Sequence, residues 1–345
     1  MGGHHDLGGH PAGPVERVEA PPNHWQKRME AMRDCLAHRR PPAMHVDEMR
    51  RGIEELPADE YARLDPYQRK TVAIRNVLLG KGVLDRAELE AAIAWLWREK
   101  EKDLEAARQL PEHGPHRGQA PHSEAQHHDH DHDHDFTDHN EEPVPGATDC
   151  IDEHELISEA MIQGLVARGL LLPGELRAGI ERAEMAGPAL GADIVARAWA
   201  DPAFKARLLA DGKGAMAGLG IEALEAQIVV VENTRAEHNL VVCTLCSCYP
   251  RSILGSPPAW YVGKAYRARA VREPRKVLAE FGLVLGDEVR VRVHDSTANM
   301  RYLVLPMRPE GTDRWPEERL KRLVTRDSMI GVARALEPGE LGAAA

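Results

Sequence analysis

Apolar side chains return every three or four positions between about Asn23 and Leu110, as in Arg75-Asn-Val-Leu-Leu-Gly-Lys and Leu89-Glu-Ala-Ala-Ile-Ala-Trp-Leu-Trp, which predicts an all-helical block. Gly80 and Gly82 close one helix, and Asp85 with Glu88 three residues on opens the next as a variant of the capping box. From 111 to 149 the periodicity is lost and His, Asp, Glu, Pro and Gly dominate, including the run from His127 to Asp135. Such a stretch buries too little apolar surface to offset its ordering entropy, so a disordered, flexible linker is expected there. Helical spacing resumes at Glu153 with Leu156-Ile-Ser-Glu-Ala-Met-Ile-Gln-Gly-Leu-Val, and Asp201-Pro202 reads as an N-cap followed by Pro at the first helical position. Short β-rich runs follow at Gln227-Ile-Val-Val-Val, Asn239-Leu-Val-Val, Val289-Arg-Val-Arg-Val and Tyr302-Leu-Val-Leu, with a helix expected from Pro274 to Phe281.

The pattern predicts an α+β protein in three parts: a helical domain at 1–110, a His/Asp-rich linker at 111–149, and a domain at 150–345 with long N-terminal helices and a layered α/β core. The net charge of −11 disfavours a nucleic-acid or anionic-membrane partner. No apolar stretch approaches the ~20 residues of a membrane span. The chain starts without a basic stretch leading into an apolar one, and Asp6 breaks the myristoylation pattern. Five cysteines, three of them within six residues, suit a reducing compartment, and a cytoplasmic location is expected.

Those three, Cys243, Cys246 and Cys248, lie in Val242-Cys-Thr-Leu-Cys-Ser-Cys-Tyr-Pro at the end of a predicted strand. Their sulfurs can converge only if the backbone curls, which also turns the amide nitrogens of Ser247 and Cys248 inward. Three thiolates and two deprotonated amides suit a trivalent low-spin ion with one open coordination position, which marks a catalytic site. A zinc site would want a fourth protein ligand, and a thioredoxin-like pair would leave Cys248 idle. Both stay as alternatives. Cys35 and Cys150 are read as ordinary thiols.

The claw motif, with Pro257-Pro-Ala-Trp-Tyr, Val271-Arg-Glu-Pro-Arg-Lys-Val-Leu and Thr325-Arg-Asp-Ser-Met-Ile-Gly-Val, resembles the α subunit of nitrile hydratase over roughly Glu153 to Ala333, and Thr244 matches the cobalt branch. The resemblance implies one Co(III) per chain in preference to Fe(III), with Cys243, Cys246, Ser247 and Cys248 as ligands. It further implies Cys246 as a sulfinate and Cys248 as a sulfenate. The first block is similar to the N-terminal half of the β subunit through His5-Asp-Leu-Gly-Gly, Asp47-Glu-Met-Arg-Arg-Gly-Ile-Glu54 and Asp65-Pro-Tyr67. This implies that Arg50 bonds the oxidised sulfurs and that Tyr67 lines the substrate pocket. A claw bearing about five negative charges around a +3 ion needs such a cation, and a guanidinium forks onto two oxyanions.

The β-like barrel that normally follows such a block is missing, so a separate chain resembling it is expected as a partner in a higher oligomer. Arg251 stands where the family usually has Trp, a replacement shared with thiocyanate hydrolase, and a cation there would suit an anionic substrate. The leading expectation is hydration of a nitrile to its amide, with Cys248, Cys246, Arg50, Tyr67 and Arg251 as site residues; the runner-up is thiocyanate hydrolysis. A third reading, a cobalt chaperone, draws on nine histidines between His113 and His139, which either gather cobalt or merely fill the linker.

Overall fold

A computed structural model describes residues 5–18, 21–108, 151–245, 248–297 and 299–342. The expected linker at 111–149 lies outside the described residues. In the first block, α1 (His24–His38), α2 (Val46–Glu54), α3 (Ala58–Arg63), α4 (Pro66–Gly80) and α5 (Arg86–Arg108) follow one another through short turns. Asn23 and Gln26 form a reciprocal capping box on α1, and Asp65 and Gln68 form one on α4 with Pro66 at its first position. Asp85 accepts the Glu88 amide at 3.0 Å as α5 begins.

Beyond the linker come α6 (Glu153–Ala167), α7 (Pro173–Met185), α8 (Pro188–Ala200), α9 (Pro202–Ala210) and α10 (Gly212–Ala217). Asp201 caps α9 by accepting the amides of Ala203 and Phe204. The chain then runs through β1 (Gln227–Glu232), β2 (Glu237–Val242), α11 (Arg251–Leu254), α12 (Ala259–Val262), α13 (Lys264–Arg269), α14 (Pro274–Glu280), β3 (Arg290–Asp295), β4 (Met300–Leu305), α15 (Glu317–Lys321) and α16 (Arg326–Ile330). The α+β class expected from the pattern is what the chain adopts, and no described helix is long and apolar enough to cross a membrane.

The strands pair in an order their spacing does not suggest. β1 and β2 are joined by only four residues, yet β1 pairs in parallel with β4 and β2 in parallel with β3. The β2–β3 register sets Val242 opposite Asp295, so the claw loop leaves β2 beside the end of a strand some fifty residues downstream.

Two hydrophobic cores form, and both halves of the chain contribute to each. α6 and α7 bury Ile157, Met161, Leu165 and Leu176 with Met29, Met32, Ile74 and Leu78 of the first block. Gly179 of α7 lets its helix approach Ala31 of α1, where an added Cβ would meet the Ala31 Cβ at 3.1 Å. In return, residues 5–18 run as an arm over the second core. Val15 is buried there with its amide donating to Glu280 Oε2 at 2.9 Å, the Gly9 amide donates to Ala268 O at 2.8 Å, and Arg269 Nη1 donates to Gly13 O at 3.0 Å.

The strands are tied to α16 through His238, which lies with Nε2 2.7 Å from Gly331 O and Nδ1 3.3 Å from Asn233 Nδ2. Gly331 is the left-handed C-cap of α16 at φ 91°, and a Cβ there would collide with the Asn239 carbonyl. Replacing Gly331 by Ala is expected to destabilise the protein by about 3 kcal/mol, from αL strain plus overpacking, measured as a lowered urea midpoint. Burial holds His238 and His294 below the ordinary histidine value of 6.5. The unfolded chain therefore takes up these protons first, and the stability they allow is present above pH ~6.5 and declines as pH falls through it. Urea unfolding at pH 7.5 and 5.5 is expected to give the lower midpoint at pH 5.5, and His238→Gln to flatten part of the difference.

Candidate functional site

The end of β2 carries the claw loop into the interior. Cys243 and Cys248 are buried at 0 % and 4 % exposure, while Cys246 and Ser247 lie outside the described residues. Among the described residues no group of three His, Cys, Asp or Glu converges as a metal set. The loop is gripped through its backbone. Asp295 accepts the Thr244 amide at 3.0 Å and the Thr244 hydroxyl at 2.6 Å. The Leu7 amide of the N-terminal arm donates to Thr244 O at 3.2 Å. Tyr261 Oη donates to Cys248 O at 2.7 Å, and Tyr266 Oη donates to Val241 O at 2.5 Å. Burial, reinforced by the neighbouring Cys243 and Cys248, pushes the Tyr261 phenol well above its usual value, so it remains a donor.

Arg267 of α13 completes the grip. Its Nε donates to Cys243 O at 3.1 Å and its Nη2 to Thr244 O at 2.8 Å. The remaining contacts are Nη2 to His5 O at 3.3 Å and Nη1 to Tyr61 Oη at 3.4 Å. The residue is only 2 % exposed, and its four hydrogen-bond acceptors among the described residues are formally neutral. Burying a cation in this way is costly unless an anionic centre lies close by. The loop that it holds carries two buried cysteines, Cys243 and Cys248, whose thiolates would supply that charge. Soft sulfur donors of this kind suit a transition metal.

The other expected residues fall in two places. Arg50, on α2, is turned inward: its side chain is 11 % exposed, with Nη1 3.5 Å from Asp47 Oδ1, so it is not a solvated surface charge. Tyr67 and Arg251 come together around a carboxylate that no motif announces. Glu30 of α1 is 4 % exposed and meets Arg251 at 2.7 Å, Arg33 at 2.6 Å and Lys70 at 2.6 Å. Burial alone would raise its pKa, but Arg251, Arg33 and Lys70 outweigh that and hold it far below the carboxylate range. Tyr67 is pushed up to about 12 by burial and by Glu30. Arg251, the first residue of α11, is thus tied to the β-like half rather than free.

Between the halves runs a cleft of about 780 Å³, walled by α3 and α4 on one side and by α12 and α13 on the other. Tyr61, Tyr67, Arg69, Lys70, Lys264 and Arg267 line it. Among the described residues its one acidic lining residue, Asp65, is engaged in capping α4. Arg69 lies over the Tyr61 ring at 3.9 Å, and burial together with Arg267 lowers its pKa.

Residues 152–333 match the family described as nitrile hydratase, alpha chain, and residues 1–127 match that of the nitrile hydratase beta subunit, N-terminal. The chain belongs to the nitrile hydratase family. Within that family it is a fusion, with the N-terminal domain of a β subunit placed ahead of an α chain. It is 56% identical over 155 residues to the low-molecular weight cobalt-containing nitrile hydratase subunit alpha of Rhodococcus rhodochrous, covering 45% of this chain and 75% of that one. It is 41% identical over 195 residues to the thiocyanate hydrolase subunit gamma of Thiobacillus thioparus, covering 53% and 80%. A solved structure of recombinant thiocyanate hydrolase comprising partially modified cobalt centers superposes with a TM-score of 0.52 at 40% identity, over 55% of this chain and 92% of that one.

Arg267, Tyr261, Asp295 and Glu30 were not legible as site residues. Tyr261 lies in one of the runs shared with the nitrile hydratase family, but nothing in that run says that its hydroxyl reaches Cys248. Tyr261→Phe removes one buried donor and leaves the Cys248 carbonyl without it. The expected cost is about 1–3 kcal/mol, read as a lowered urea midpoint together with reduced cobalt retention against a chelator.

Proposed function

We propose that this chain is the catalytic component of a cobalt nitrile hydratase that adds water across a carbon–nitrogen triple bond to give an amide. The reading is carried by Arg267, a buried guanidinium braced on the carbonyls of Cys243 and Thr244, which calls for an anionic centre in the loop it holds. Cys243, Cys246 and Cys248, with the amides of Ser247 and Cys248, would hold one Co(III). That ion supplies Lewis acidity at an open position.

The remaining work falls to the protein. Arg267, Tyr261 and Asp295 keep the loop curled, so the sulfurs need no reorganisation when the substrate arrives. Cys246 as a sulfinate and Cys248 as a sulfenate would present oxygens that Arg50 forks onto. The Cys248 oxygen would either take a proton from the water that adds to the nitrile carbon, or attack that carbon itself, with water then adding to sulfur as the S–O bond breaks, so that the amide leaves and the sulfenate is restored. Tyr67 shapes the pocket from α4. A separate chain resembling the barrel at the far end of the family's β subunit completes a higher oligomer.

Thiocyanate hydrolysis is the second reading, favoured by the cations Arg69, Lys264 and Arg267 in the cleft, which would attract an anionic substrate. Co-expression with cobalt and the partner chain, followed by native mass spectrometry and assays on acrylonitrile and thiocyanate, tests both. One cobalt per chain, added oxygens on Cys246 and Cys248, and acrylamide formation are expected. Cys248→Ser is expected to lower cobalt content and turnover by at least about tenfold. Labile Co(II), unmodified thiols and turnover of neither substrate would point instead to metal delivery.

A further inference from the structure

We infer that the cleft between the two halves binds an anionic group on the substrate, so that the preferred nitrile carries a carboxylate on a short aliphatic chain. The inference rests on the nitrile-hydrating reading and names its substrate class.

Four cations line the cleft, in a chain whose net charge is −11. Lys70 is ion-paired to Glu30, which it shares with Arg33 and Arg251. Arg69 bonds the Tyr61 carbonyl at 2.8 Å, and Arg267 bonds carbonyls and a phenol. Lys264 is exposed and makes no ion pair among the described residues. Three positive charges thus share one cavity with no carboxylate paired to any of them among the described residues. Even with Asp65 in the lining the cations are in excess, and an excess of one sign in a low-dielectric recess focuses potential and concentrates the opposite ion.

The size of the cleft decides between kinds of anion. A triatomic anion needs on the order of two water volumes, roughly 60 Å³, and would leave most of the 780 Å³ unfilled. The walls between the cations are apolar, with Leu7, Pro257, Ala259 and Val262 suited to methylene groups. Lys264 and Arg267 are three residues apart on α13 and so stack on one helix face. Lys264 is the exposed end of that pair and Arg267 the end that touches the claw loop. A carboxylate held at Lys264 and Arg69 would direct the far end of its chain toward Arg267 and the cysteines.

The test compares 4-cyanobutyrate with its methyl ester on the cobalt-loaded, partner-assembled enzyme, in the native protein and in Lys264→Glu. Lys264 is exposed, so its reversal is expected to leave the melting temperature unchanged. The native enzyme is expected to favour the acid over the ester in kcat/KM by about tenfold, and the reversal to lower that ratio by about tenfold through KM. Calorimetric binding of glutaramate, the amide product, gives a readout independent of turnover and is expected to weaken by a similar factor in the variant. Equal use of acid and ester, or a ratio and a glutaramate affinity that ignore the reversal, would overturn the inference while leaving nitrile hydration standing. Glutaramate binding that responds to Lys264→Glu without turnover of either nitrile would support the anion site and reject the nitrile-hydrating reading.

Discussion

Burial of the Arg267 guanidinium is the constraint on which the site turns, because taking a cation out of water is costly unless its donors are met and an anion lies close. The group is braced on two carbonyls of the claw loop, and bonded to the arm and to α3 through His5 O and Tyr61 Oη. That one side chain therefore joins three segments far apart in sequence at the loop that carries Cys243 and Cys248. A thiolate-rich metal centre, as proposed for this loop, would offset its desolvation, and the guanidinium would in turn offset the negative charge gathered by such a centre. Each would make the burial of the other tolerable.

The same logic explains why the β-like half is joined to the α-like half through shared cores rather than a simple contact. The arm at 5–18 packs on the second core, α6 and α7 pack on the first, and Glu30 reaches across to Arg251 three residues past Cys248. A buried carboxylate with three cations around it adds little stability over apolar packing, but losing one partner leaves the others uncompensated. Such a cluster defines one relative placement of the halves, and with it the cleft between them. An acidic chain thereby presents a cationic cleft between its halves.

Much of this architecture could be read along the chain. Helix starts at Asp85 and Asp201 were marked by side chains that accept the first amides, and these bonds are local, so a short window of sequence suffices to find them. The strand runs stood out by their β-branched residues. Their pairing did not, because the short β1–β2 connection gives no sign that each strand pairs in parallel with one across the domain. Asp295 is an ordinary acidic residue at a strand end until the β2–β3 register sets it beside Thr244.

By itself, the amino-acid sequence determined the α+β class, several helix starts and the cysteine motif, because propensity, capping and ligand spacing act over a few residues. Only the tertiary structure decided that Arg251 is held by Glu30, that Arg267 and Tyr261 brace the claw loop, and that a cationic cleft opens between the halves. Those pairings span 24 to 221 residues for Arg267–Cys243 and Arg251–Glu30. Contacts at such separations carry no local signal, and they exist only once packing of the two cores has brought distant segments together.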